Sequence, residues 1–243
     1  MNAAWIYLLH GQYSAARRLL EKAVAIEESG EPGIVTFIGS LTLMGNLFLM
    51  QNRLDSAGEW YRRSLSLLEK TDHVYKHAFL ALTYCGLGRI EISRREYDRA
   101  LDLYKKAKGA VAAGPEGLGL GYMQVKALLG MAVTFHDLGL IRESKNSFLE
   151  AEELLRTKQG YDFSWIWDGC DAQAYYDLAA HQALCRNTAK AMELLALARG
   201  CGWADLVRLD ADTFFSSLRE LPQFQSLREE LEHRNSLPEH PDF

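Results

Sequence analysis

LTLMGNLFLMQNRLDSAGEWY, residues 41–61, is the stretch on which the fold turns. Leu41, Met44 and Phe48 stand three and four residues apart, so on an α-helix they line one face, and Gly45 lies among them without a side chain. After the polar Gln51-Asn52-Arg53, Ala57 and Tyr61 resume a helical spacing. The stretch therefore reads as helix, turn, helix. Gly45 and Ala57 are the small residues that two closely packed helices require.

The same phrase recurs along the chain. A small residue followed four positions later by a large apolar one occurs at Ala16/Leu20, Ala57/Tyr61, Ala100/Tyr104, Ser144/Phe148 and Ala191/Leu195. The small residues are 41, 43, 44 and 47 apart, intervals that suit one helix pair each. About twelve residues before each small residue of the last four pairs stands the first-helix phrase. It reads Leu41, Met44, Gly45, Phe48, then Tyr84, Leu87, Gly88, then Leu128, Met131, Ala132, Phe135, and finally Tyr175, Leu178, Ala179. With these letters the chain resembles the tetratricopeptide-repeat family, whose pattern is W-x₂-L-G-x₂-Y…A-x₃-F. The repeats here are longer than the family's ~34 residues, and Glu91 and Gln182 occupy positions where that pattern has an aromatic.

The resemblance implies an all-α fold, an α-α superhelix of about five helix pairs followed by a capping tail. The array is expected over 1–201, with repeats near 1–30, 33–70, 73–112, 118–157 and 169–200, a helical tail over 202–234 and a frayed end over 235–243. Periodicity and punctuation predict helices at 2–10, 13–29, 33–51, 53–70, 73–92, 96–112, 118–138, 140–157, 169–185 and 187–200. Asp72 and Asp171 are the expected N-caps, and Gly30, Gly114 and Gly160 the expected helix ends. The tail resembles the end-of-group segment of bacterial repeat proteins at Trp203, Leu209, Asp210, Asp212, Leu218, Pro222, Phe224 and Leu227. Phe214, Phe215, Leu218, Phe224 and Leu227 would form its inner face, because a terminal repeat needs one apolar and one polar side. The short run before the second helix of repeat one reads as a trimmed array or a piece of something longer.

Composition bounds the function. A net charge of −5 with no basic run argues against a nucleic-acid partner. Cys85, Cys170, Cys185 and Cys201 form no C-x-x-C pair and read as reduced structural cysteines, which points to the cytoplasm. The start of the chain lacks the basic region of a secretory signal. Ile34–Asn52 carries no charge over nearly a membrane span, but its scattered Thr, Ser, Asn and Gln and its Gly39/Gly45 pair fit a buried repeat helix, and no membrane association is expected.

No catalytic centre emerges. His73 and His77 are four apart, yet no Glu follows His73 as a metalloprotease motif demands, and no metal is expected. The glycine-rich run 114–122 follows a helix rather than a strand, so it reads as an inter-repeat loop and not as a phosphate cradle. No P-loop or G-x-S-x-G elbow occurs, and neither an enzyme activity nor a cofactor is expected.

The family resemblance assigns the work to a concave groove lined by first helices. Counting from the pattern places Thr42, Asn46, Leu49, Cys85, Arg89, Lys126, Val133, His136, Gln173 and Tyr176 there. A subset of the family grips a terminal carboxylate with a Lys/Asn/Arg clamp; Asn46 and Lys126 fit it, but Thr42, Gly86 and Gly130 stand where other members would be, so that activity is not expected. The aromatic run 161–167, with Trp165 and Trp167, is either an exposed binding patch or packing that fills the long last interval. The leading expectation is an interaction module that binds a peptide or helix of a partner protein, with self-association open. The alternative is an effector-sensing regulatory region of a larger bacterial transcription or signalling ATPase.

Overall fold

A computed structural model describes residues 2–30, 33–115, 120–157 and 170–236, and among these every regular element is helical. In chain order, two to each repeat read from the sequence, the helices are α1 (Asn2–Leu9) and α2 (Tyr13–Ser29), α3 (Ile34–Met50) and α4 (Leu54–Leu68), α5 (Lys76–Ser93) and α6 (Tyr97–Ala113), α7 (Gly121–Asp137) and α8 (Ile141–Thr157), and α9 (Cys170–Leu184) and α10 (Thr188–Gly200). α11 (Leu206–Ala211), a short 3₁₀ turn (Thr213–Phe215) and α12 (Pro222–Ser236) follow. The chain forms two compact units: one of Met1–Trp5 and Tyr13–Asp168, the other of Ile6–Gln12 and Gly169–Phe243.

The turn inside each repeat is built the same way five times. Gly11, Asn52, Arg95, Gly139 and Arg186 all have positive φ, at 69°, 57°, 62°, 74° and 59°. Each lies five residues before the small residue of its repeat, so the turn keeps the period of the packing phrase. The residue after each donates its N–H to a carbonyl five positions back: Gln12 to Tyr7, Arg53 to Phe48, Glu96 to Glu91, Leu140 to Phe135 and Asn187 to Gln182, at 2.8–2.9 Å. These are Schellman ends, which satisfy otherwise orphaned carbonyls of the first helix and reverse the chain at once. Gly11 and Gly139 meet the backbone demand freely, whereas Arg95 and Arg186 meet it against the steric preference of L-residues.

The caps expected from sequence lie elsewhere. Asp72 precedes α5 by several residues, since Tyr75 is the N-cap, and Asp171 sits within the first turn of α9. Gly114 ends α6 in an extended conformation, with φ −73° and ψ 157°, and Gly30 follows α2 without a positive φ. Gly160 lies outside the described residues.

In the first unit α3 packs on α4, α5 on α6 and α7 on α8, while α3, α5 and α7 also touch in succession. Two tyrosines lock this layering. The fully buried Tyr61 of α4 lies so close to Gly45 of α3 and Gly86 of α5 that a Cβ on either glycine would approach its ring to 2.4 Å and 2.3 Å. Tyr104 of α6 does the same between Gly88 of α5 and Gly130 of α7, where added Cβ atoms would come within 2.9 Å and 2.1 Å of its ring. Behind the rings, Thr42 Oγ1 donates to the Ile38 carbonyl at 2.9 Å, and its hydroxyl lies 3.1 Å from that of Ser64, which is 3.4 Å from that of Thr83. These three buried hydroxyls tie α3, α4 and α5 together.

The second unit is organised around Trp203, which stacks on Tyr176 at 4.2 Å between ring centroids; Phe215 meets Tyr176 edge-on at 5.4 Å. Phe215, Leu218, Phe224 and Leu227 are buried as the tail's inner face, and Phe214 is half-buried. Residues Ile6–Gln12 belong to this unit through the Ala204 N–H, which donates to the Leu9 carbonyl at 3.0 Å. Gly11 lies against Asp205, whose Oδ1 would be 2.7 Å from an added Cβ.

Gly130→Ala is expected to destabilise the protein by ~1–3 kcal/mol through overpacking against Tyr104, whereas Gly109→Ala, in open space on α6, is expected to stabilise it by ~0.5–1 kcal/mol. Denaturant titration of both variants checks the pair; equal effects would place the ring contacts wrongly. By the same measurement Arg95→Gly is expected to add ~0.5–1 kcal/mol by removing the left-handed strain.

Candidate partner-binding groove

Among the partly open first-helix positions, six fall into two columns that keep the repeat interval. Asn46, Arg89 and Val133 form one and Leu49, Ile92 and His136 the other; all six are half-buried. Their spacing follows the repeat, so successive helices α3, α5 and α7 each offer two side chains on the same face. Ile92 was absent from the expected set, although its distance from Leu49 and His136 matches the repeat intervals and would have supplied it.

The neighbouring column is closed. Thr42, Cys85 and Leu129 occupy one repeat position on α3, α5 and α7 and are 0%, 4% and 4% exposed, because each first helix packs against the next. Thr42 and Cys85, expected in the groove, are therefore packing residues. Gly86 and Gly130, one residue further along each helix, are where the tyrosine rings enter.

Charge and hydrogen bonding distinguish the open positions. The Tyr61 hydroxyl donates to Asn46 Oδ1 at 2.7 Å. Burial pushes the Tyr61 phenol far above its ordinary range, against the opposing pull of the Arg89 cation, so it stays a protonated donor. Lys126 Nζ stands 5.5 Å from the centre of the Tyr122 ring, a cation–π contact on the flank of α7. His136 Nδ1 lies 3.6 Å from Asp137 Oδ1. The charged residues of α3, α5 and α7 are Lys76, Arg89, Glu91, Lys126 and Asp137, and Glu91 is paired with Arg94 at 3.2 Å.

Gln173 and Tyr176 are drawn to a different task. Both are within 1% of complete burial in the second unit, arranged around the buried Arg208. Arg208 donates to Gln173 Oε1 and to Asp177 Oδ1, each at 3.0 Å, and lies over the Tyr176 ring at 4.4 Å. Tyr176 donates to Asp212 Oδ2 at 3.1 Å, and Asp205 caps α11 by accepting from the Arg208 N–H at 3.0 Å. Burial alone would lower the Arg208 pKa, but Tyr176, Asp177, Asp212 and Asp205 outweigh it and hold the guanidinium above its ordinary value. Gln173 and Tyr176 therefore cannot meet a partner at an open surface; they support the tail that follows the last repeat.

The other sequence candidates resolve simply. His73 precedes α5, accepts from the Tyr75 N–H at 3.2 Å through Nδ1, and does not share a helix turn with His77. Among the described residues no group of three His, Cys, Asp or Glu is placed to hold a metal ion. Trp165, Trp167 and residues 116–119 of the glycine-rich run lie outside the described residues, and the run's last residues, Gly121 and Tyr122, open α7.

Residues 1–28 and 38–110 match family models of the tetratricopeptide repeat. These segments are tetratricopeptide repeats. The second match spans α3–α6, the heart of the layered packing with Tyr61 and its two glycines. No curated protein matches the chain. Among solved structures, the crystal structure of BtubC (BKLC) from P. vanneervenii is similar over 97% of this chain and 95% of that one, with 16% identity and a TM-score of 0.46.

Removing one member of the buried charged cluster leaves the others unpaired in a poorly solvated place. Arg208→Ala is expected to cost ~3–5 kcal/mol in equilibrium unfolding. A loss below about 1 kcal/mol, the scale of a surface pair, would show that the cluster does not hold the tail.

Proposed function

We infer that the chain is an interaction scaffold that binds an extended segment of a partner polypeptide along the face of α3, α5 and α7. The observation that carries this reading is the pair of half-open columns, Asn46/Arg89/Val133 and Leu49/Ile92/His136, which recur at the repeat interval on α3, α5 and α7 beside the closed column Thr42/Cys85/Leu129. A row of side chains repeating from helix to helix suits a ligand that is itself a repeating chain. The mixture of amide, cation, imidazole and aliphatic groups supplies both hydrogen bonds and apolar contact. Lys126 extends the same face by its cation. No cofactor takes part in this reading.

Two further observations support it. Tetratricopeptide repeats generally mediate protein–protein interaction, and the matched segments include α3 and α5. No helix among the described residues is long and apolar enough to cross a membrane, so the charge-free α3 reads as a buried repeat helix. The tail beyond residue 202 acts in this reading as a terminal cap, burying the apolar side of α9 and α10.

A peptide recovered by display against the whole chain provides the probe. Arg89→Glu and Lys126→Glu are each expected to weaken it tenfold or more, within the ~2–5 kcal/mol range for loss of one side of a buried interfacial charge contact. Arg62→Glu, on the exposed side of α4, is expected to bind as the parent does. Equal affinity in all three variants, with unchanged circular dichroism, would move the binding surface off these helices.

A further inference from the structure

In the first unit, α4 and α8 each turn one side toward the second helix of the repeat before them. Arg63, six residues after the small Ala57 of α4, reaches back to Glu28 of α2 at 2.5 Å. Glu150, six residues after Ser144 of α8, reaches back to Lys108 of α6 at 3.4 Å. The positions three and ten residues after the small residue share that side of the helix. They hold Trp60 and Leu67 on α4, Leu103 and Ala110 on α6, and Ser147 and Leu154 on α8, and each of these is half-buried or buried.

On α2 the same three positions are Leu19, Lys22 and Ile26. Among the described residues no second helix precedes α2, and Leu19 and Ile26 are 40% and 60% exposed. Two large aliphatic side chains, two helical turns apart, thus stand in water on the side that the later repeats close. Lys22 occupies the position of Arg63 and Glu150, but it makes no ion pair among the described residues, and neither does Arg18 one turn before it. The carboxylates of α2 lie off this side. Glu21 and Glu28 are bound by Arg17 and Arg63, and Glu27 follows the buried Leu20 by two turns. The open side is therefore apolar with cations only.

We propose that this side of α2 is a docking edge for an amphipathic helix of a partner protein, which lays its apolar stripe on Leu19 and Ile26 and sets an Asp or Glu against Lys22. The docked helix takes the place that the preceding second helix takes in the later repeats, where Glu28 is set against Arg63 in the same way. Charge excludes a second copy joined by two-fold symmetry. Such an interface pairs a patch with itself, so Arg18 and Lys22 would face the same cations of the other chain and repel them. The edge lies on a second helix and does not depend on the groove of α3, α5 and α7.

The probe is a stapled helix selected by display against the whole chain, from a library with a fixed leucine stripe and random flanking positions. Selected helices are expected to carry Asp or Glu beside the stripe. Leu19→Lys combined with Ile26→Lys is expected to weaken them on the order of tenfold or more through lost apolar burial. Lys22→Glu is expected to weaken the acidic helix by about tenfold, and the same helix with its carboxylates changed to Lys is expected to prefer this variant over the parent. The three positions are exposed, so circular dichroism and the denaturant midpoint are expected to match the parent in every variant. Selected helices that bind the Leu19/Ile26 variant as tightly as the parent overturn the proposal, as do helices without an acidic flank. Failure of Lys22→Glu to reverse the preference overturns it too. Sedimentation equilibrium supplies the remaining check: a parent dimer that the Leu19/Ile26 variant abolishes would give the edge to a second copy and reject the partner helix.

Discussion

An aromatic ring occupying the space that two glycines leave open holds the first unit together. Tyr61 against Gly45 and Gly86, and Tyr104 against Gly88 and Gly130, join each second helix to its own first helix and to the next. Neither half of this arrangement works alone. A ring without the glycines has nowhere to go, and the glycines without the ring leave a void and a costly flexible backbone in a helix interior. The rings also set the distance between first helices, and with it which side chains are covered. Thr42, Cys85 and Leu129 are buried at that distance, while Asn46, Arg89 and Val133, about one turn further along, stay partly open.

The period of the chain was legible because packing and turn obey the same interval. The small residue and the left-handed turn residue stay five positions apart in all five repeats, so finding one locates the other. Helix positions followed closely: α2 and α8 agree almost to the residue with the spans read from periodicity. Turn chemistry was less legible, since Arg95 and Arg186 carry none of the signal that glycine gives at Gly11 and Gly139. Context overrides intrinsic preference there, with the Schellman bonds on either side compensating for the strained residue.

Exposure along the first helices was less legible for a different reason. Counting along a helix gives the face of each residue but not what lies across from it. Thr42 and Cys85 counted as groove positions, yet each is buried where neighbouring helices pack. Gln173 and Tyr176 also counted as groove residues, but their burial is decided by Arg208 and Trp203, which follow the last repeat. Residues 6–12, read from sequence as part of the first repeat, belong with the tail through the Ala204–Leu9 hydrogen bond. Long-range partners of this kind leave no trace in local spacing. The columns proposed as the binding face, on α3, α5 and α7, are half-buried.

A photo-crosslinking amino acid placed at Leu49, on the half-open face of α3, and in parallel at Leu149, 48% exposed on α8, locates the bound chain without assuming what it is. With the display-selected peptide present, the probe at position 49 is expected to form a covalent adduct and the probe at position 149 is not. Adduct formation at 149 with none at 49 would put the partner on the second-helix surface and contradict the groove.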